Sequence, residues 1–222
     1  MKSAFAPAIC AIAATLAVPF GLRAQGAVVP PDVKAFAAQY VAAHNSKDEA
    51  RLLATNFPPT RACITPANKD VYSEIARKDM RDSIPPNYIL TFTPVNEGNL
   101  KALADFGYFL VKPERELHID YQYPNTNDGG LLILYLVYRD GRWMGAFPCM
   151  TEHAIQDFRD NAPLRQHYRT LAAAIKDPLR SQLIAMLRVH QLGEAETRYR
   201  KVTGCDMKMA VLVLDELRDQ TN

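Results

Sequence analysis

The chain has 222 residues, with 26 Lys and Arg against 24 Asp and Glu and a formal net charge of +2. That length sets a prior of one or two domains. A charge so near balance excludes a protein drawn to nucleic acid or anionic lipid by its global field.

Residues 1–24 read as an export signal. Lys2 supplies the positive start, the apolar run "AFAPAICAIAATLAVPFGL" follows, and "LRA" precedes Gln25, with Ala24 last before cleavage. Cleavage after Gly26 or Ala27 fits almost as well. The competing reading is a short membrane anchor. Pro7, Pro19 and Gly21 interrupt the run, which is short for a span. Cys10 sits too early, and without a lipobox-like setting, for a lipoprotein. Removing residues 1–24 takes away Lys2 and Arg23 and no acid, so the remaining chain is neutral. No later segment reaches transmembrane length without charge, so no stable membrane insertion is expected after cleavage.

Asp32 is a candidate N-cap after "AVVPP". Val33, Phe36, Ala37, Tyr40, Val41 and His44 then recur with helical spacing on one face. "NSKD" breaks this helix, "EARLLATNF" predicts a second, and Pro58-Pro59 end it. A third is predicted over "NKDVYSEIARKDMRDSI", from Asn68 to the stop at Pro85-Pro86. The period then changes to two. "NYILTFTPV" and "FGYFLVK" are strand candidates. In "ELHIDYQY", Leu117, Ile119, Tyr121 and Tyr123 face one way, and Glu116, His118, Asp120 and Gln122 the other, read as a solvated face. "LLILYLVYR" is apolar on both faces, as a central strand would be. Asp140-Gly141 marks a tight hairpin, and "RWMGAFPC" returns along it.

From Thr151 the pattern is helical again. "EHAIQDFRD" and "PLRQHYRTLAAAIK" are two segments. A third begins at Asp177-Pro178, with Leu179, Leu183, Met186, Leu187 and His190 on one face. Gly193 separates it from "EAETRYRKVTG", where Gly204 is a natural helix stop. Asp206 caps the last helix, "MKMAVLVLDELRDQ". In this hairpin Tyr199, Val202, Met207, Ala210 and Val211 are expected to pack inward.

Three cysteines remain after signal removal: Cys63, Cys149 and Cys205. An exported chain is expected to oxidise those that geometry allows. Cys63 lies in the loop "TRACITPAN" and Cys149 at a strand end of the same predicted domain, so Cys63–Cys149 is the preferred bridge. Cys205 is then the odd thiol. A bridge from Cys205 to either of the others would instead tie the two domains together. None of the three has zinc-ligand spacing.

Helices followed by antiparallel strands make an α+β domain over residues 32–151, and residues 152–222 form an all-helical extension. The opening "FAAQYVAAHNSKDEARLLA" and closing hairpin "LLILYLVYRDGRWMG" resemble the nuclear transport factor 2-like (ketosteroid-isomerase-like) superfamily. That resemblance implies a cone of helices on a curved sheet, room for a small apolar ligand, and dimerisation through the sheet. The inserted "FPPTRACITPAN" departs from the pattern at the mouth of such a cone. Ala195, Tyr199, Arg200, Thr203, Gly204, Met207, Lys208 and Ala210 are similar to the helical hairpin of the ribosomal stalk protein C-terminal domain. The likeness covers about residues 193–217 and lacks that domain's strands. It implies a helix-turn-helix shape with Arg200 and Lys208 at positions that contact protein in the stalk. The ribosomal partners do not apply outside the cytoplasm.

Candidate chemistry is sparse. His118 and Asp120 are neighbours on one strand face and offer a His–carboxylate pair for acid–base work. The plainer reading is a solvated strand face. His44 could line a cone pocket or pack as a buried ring near a helix end. His153, His167 and His190 have no ligand spacing, and no metal or other cofactor is expected. "NTNDGG" lacks the glutamate of a calcium loop and reads as a hairpin connection. No nucleophile elbow, phosphate loop or zincin helix is present. "RYRK" at 198–201 offers a basic face for an acidic partner, or simply a solvated one. Tyr88, Phe92, Phe106, Tyr108, Tyr121, Tyr123, Trp143 and Phe147 of the predicted strands could line a ligand cavity, with core building the plainer reading.

The expectation is therefore a periplasmic or secreted, non-enzymatic binding or adaptor protein, immunity-like in kind. Arg200 and Lys208 would lie on its protein-contact extension. The alternatives are a small-molecule isomerase or hydratase of the ketosteroid-isomerase-like type, using His118 with Asp120 or His44, and a structural envelope protein that dimerises through its sheet.

Overall fold

The computed structural model describes residues 28–126 and 128–220. The predicted export signal lies outside the described residues. The chain is α+β and divides into two compact units. The first comprises the described residues up to Tyr121 together with Gly130–Arg159, and the second Gln122–Gly129 together with Asp160 onward.

In the first unit, α1 (Pro31–Asn45) precedes α2 (Glu49–Ala54), a 3-10 turn (Pro58–Arg61) and α3 (Lys69–Asp79). Pro30, not Asp32, is the N-cap of α1, because the proline pair already pre-forms its first turn. Asp48 caps α2, its side chain accepting from the Arg51 amide at 3.1 Å. The third helix stops at Asp79, five residues short of the expected Ile84. Its exit is held by side chains from the end of α1. His44 Nε2 bonds the Asp79 carbonyl at 3.1 Å. Lys47 Nζ donates to the carbonyls of Met80 and Arg81. Asn45 Nδ2 donates to the Ile84 carbonyl at 2.9 Å and its Oδ1 accepts from the Ile84 amide at 2.8 Å. These bonds satisfy a chain that leaves the helix early.

Four strands form one antiparallel sheet in the order β1 (Ile89–Pro94), β3 (Arg115–Gln122), β4 (Gly129–Arg139), β5 (Arg142–Gly145). β4 is internal, as its two apolar faces require. Asp140 (φ 53°) and Gly141 (φ 76°) make the tight turn between Arg139 and Arg142. The segment read as one return strand splits in two. β5 ends at Gly145, where the chain after α2 crosses it: Phe57 N donates to Gly145 O at 2.9 Å and Gly145 N to Thr55 O at 3.0 Å. A Cβ at residue 145 would lie 2.2 Å from Asn56 Oδ1. β6 (Pro148–Met150) then pairs with β2 (Gly107–Phe109) in a separate two-stranded sheet. A short helix absent from the sequence reading, α4 (Glu97–Leu103), lies between β1 and β2 and is capped by Asn96.

The alternation in β3 builds the main core. Val33, Phe36, Ala37 and Val41 of α1 pack with Leu117, Ile119 and Leu136, joined by Tyr40, Phe92 and Trp143. These side chains occupy the space between α1 and the sheet. Val137, Met144 and Ala146 form a second cluster with Phe57, Phe109 and Tyr135. The Cys63–Cys149 disulfide is formed, with its Cα atoms 6.0 Å apart. Beside it lies a third cluster of Val71, Tyr72, Met150 and Ala154. There the Met150 amide donates to the Tyr72 hydroxyl at 2.7 Å.

α5 (Glu152–Asp160) runs to the end of the first unit. In the second, α6 (Ala162–Ala174), α7 (Leu179–Arg188), α8 (Leu192–Thr203) and α9 (Met207–Asp219) share one core, in which Leu183, Ala195, Val213 and Leu217 are fully buried. Gly204 closes α8 in the left-handed conformation at φ 72°, and Asp206 caps α9 by accepting from Met209 N at 2.7 Å. Glu216 is buried in this unit and accepts from Arg169 Nε at 2.8 Å. Among the described residues no helix is long and apolar enough to cross a membrane.

Candidate functional site

The polar face of β3 differs from the sequence expectation. Glu116 is only 1% exposed, not solvated. The cause is α4, whose cap and first turn cover it. Glu116 Oε1 accepts from the Asn96 amide at 2.9 Å, and both carboxylate oxygens lie within reach of Asn99 Nδ2, at 3.3 and 3.2 Å. His118 Nε2 completes the shell, 3.0 Å from Oε2. The His–carboxylate pair therefore exists, but with Glu116; Asp120 is exposed and takes no part in it.

A carboxylate only accepts, so Nε2 carries the proton and a neutral His118 holds its lone pair on Nδ1. Tyr135 shares this side of the sheet. Burial, reinforced by the Glu116 charge, pushes its phenol up to about 12, so it stays a protonated donor across the neutral range. The one hint of this cluster in the sequence was the Glu-x-His spacing, and nothing local signalled that a short helix would bury it.

His44 is 2% exposed and lies in filled core. Its ring meets Asn45 Oδ1 at 3.2 Å and the Asp79 carbonyl at 3.1 Å. Desolvation holds its pKa below the ordinary value, with Lys47 acting in the same direction, against the raising effect of those bonds. Among the described residues, His44 is buried at 2% exposure, His118 is half-buried and Asp120 is exposed. An open cleft of about 480 Å³ beside β3 is lined by Val95, Glu97, Lys112, Pro113, Glu114 and Arg115, and by none of the three.

The α8–α9 hairpin has a different surface from the one expected. Tyr199 and Ala210 are buried, but Val202 is 57% and Met207 59% exposed, and Val211 is 38% exposed. The turn is short and closed by Gly204, so the inward face of each helix near it is narrow, and these three fall beside it. Arg200 and Lys208 are exposed on the same segment. Arg200 is not idle: its Nη1 lies 3.2 Å from Glu196 Oε1, a surface pair worth up to about 1 kcal/mol. Cys205 is a free, half-buried thiol that packs against the helical core, with Thr203 Oγ1 donating to its sulfur at 3.2 Å.

No family model, curated protein or solved structure matches this chain.

Proposed function

We propose that this is an exported binding or adaptor protein whose α8–α9 hairpin docks on a partner protein carrying acidic and apolar side chains. The observation that carries the reading is the exposure of Val202, Met207 and Val211 beside Arg200, Lys201 and Lys208. Single exposed aliphatics are ordinary, but four within ten residues of one tip, Met209 being the fourth, with cations beside them suit an apolar contact with a charged border. The Cys63–Cys149 disulfide supports an oxidising compartment, periplasmic or extracellular. The first unit, with helices on an antiparallel sheet, is read as a nuclear transport factor 2-like scaffold in this proposal.

The test is a photo-crosslinking side chain placed at Val202 or Met207 in the exported protein, with exposed Val189 as a control. A discrete partner is expected at the first two positions, and it should be lost in Arg200→Glu/Lys208→Glu. Crosslinking that is equal at all three positions, or a partner unaffected by charge reversal, would remove the hairpin from the reading.

A further inference from the structure

A cleft of about 720 Å³ lies wholly within the second unit. That volume falls in the usual range for small-molecule sites. One wall is a stripe of α8: Glu194, Thr197, Arg198 and Lys201 fall at i, i+3, i+4 and i+7 and so share a face. Met186 and His190, from α7 and the turn after it, line the cleft as well. His190 is held in place there, stacked on Tyr123 with ring centroids 3.5 Å apart and an interplanar angle of 2°, while its Nδ1 accepts from Arg218 Nη2 at 3.0 Å.

The charges on this stripe are arranged in an unusual way. Arg198 is held by a neutral group: Gln182 Oε1 accepts from its Nε at 3.2 Å and its Nη2 at 2.8 Å. The guanidinium is thus oriented with no carboxylate of the described residues within ion-pair distance, and the outward N–H groups of its Nη1–Nη2 edge are left for a bidentate acceptor. Among the described residues Glu194, Arg198 and Lys201 form no ion pair. The other acid in the cleft, Asp128, is already engaged, its Oδ2 accepting from the Leu192 amide at 2.6 Å.

We infer that this cleft binds a short peptide with free ends, the carboxylate on Arg198 and Lys201 and the ammonium group on Glu194. Helical rise puts Arg198 about 6 Å and Lys201 about 10 Å from Glu194 along the axis. An extended peptide of two or three residues spans roughly 7–10 Å. The cleft shares Lys201 with the border of the hairpin tip but none of its exposed aliphatic residues. Peptide titration reads the cleft and crosslinking reads the tip, so either reading can fail without the other.

Calorimetric titration of the full chain with trialanine, N-acetyl-trialanine, trialanine amide, succinate and inorganic phosphate tests this. Trialanine is expected to bind, and blocking either end should weaken it about tenfold or more. Glu194→Gln should abolish the discrimination against the N-acetyl form, and Arg198→Gln/Lys201→Gln the discrimination against the amide. No binding of trialanine at millimolar concentration, equal binding of the blocked forms, or phosphate or succinate binding as well as trialanine would overturn the inference. The blocked peptides decide it on the wild-type protein, whatever the variants do to folding.

Discussion

Two buried polar residues of the first unit, Glu116 and His44, are solved differently. Glu116 is surrounded by donors that satisfy its carboxylate oxygens inside the fold. His44 sits between two oxygen acceptors, and a neutral ring donates to only one of them at a time. Its folded pKa is depressed, so unfolding at mildly acid pH takes up a proton there. The stability linked to His44 is fully present above its unfolded value of about 6.5 and is lost as pH falls from there through the folded value. Urea midpoints measured at successive pH values should therefore fall below pH ~6.5 in the wild type and less steeply in His44→Gln. Parallel curves would show that His44 does not carry this dependence.

Among the elements, the α8–α9 hairpin is the most locally determined. Gly204 takes a positive φ that costs any other L-residue, and a Cβ there would meet nothing within 4 Å. Gly204→Ala is thus a purely conformational change, expected to cost about 1 kcal/mol. Urea unfolding followed by far-ultraviolet circular dichroism measures it, and a neutral substitution would mean that the left-handed stop is not kept in solution. α3 shows the opposite case. Its helical pattern continues past Asp79, but bonds from His44, Asn45 and Lys47 reward an early exit more than another turn would.

For the molecule as a whole, the Cys63–Cys149 bridge joins two residues of the first unit with a sequence separation of 86, and the loop it closes includes Gln122–Gly129, which belongs to the second. The chain-entropy model gives a bridge of this span about 4–5 kcal/mol. Trp143 is the sole tryptophan and lies in the first unit's core, edge-on to Phe92 at 5.2 Å. Its fluorescence therefore reports that unit separately from the helical one. Cys63→Ala/Cys149→Ala is expected to lower the denaturant midpoint of the tryptophan transition by that free energy divided by the slope of the transition. An unchanged midpoint would mean that the bridge does not constrain the unfolded chain.

Much of this architecture follows from local rules. Period-3.6 stripes, the change to period two, Asp140-Gly141 and Gly204-x-Asp206 mark helices, strands and turns because each depends on a few neighbouring residues. The Cys63–Cys149 pairing was also legible, since both thiols fall in one domain. Burial of particular polar and apolar side chains was not. Glu116 alternates with Leu117 like any outward strand residue, and it is buried only because α4, with Asn96 and Asn99, folds over it. Val202 and Val211 carry the inward signature of an amphipathic helix but stay exposed, because two helices joined by so short a turn cover each other only along a narrow strip. The cleft on α8 likewise needed Gln182 of α7, sixteen residues from Arg198 in the chain, to orient the guanidinium. Residue type and spacing determined which elements form. Only the packing of one element on another decided which of their side chains reach solvent, and that sets what each unit can bind.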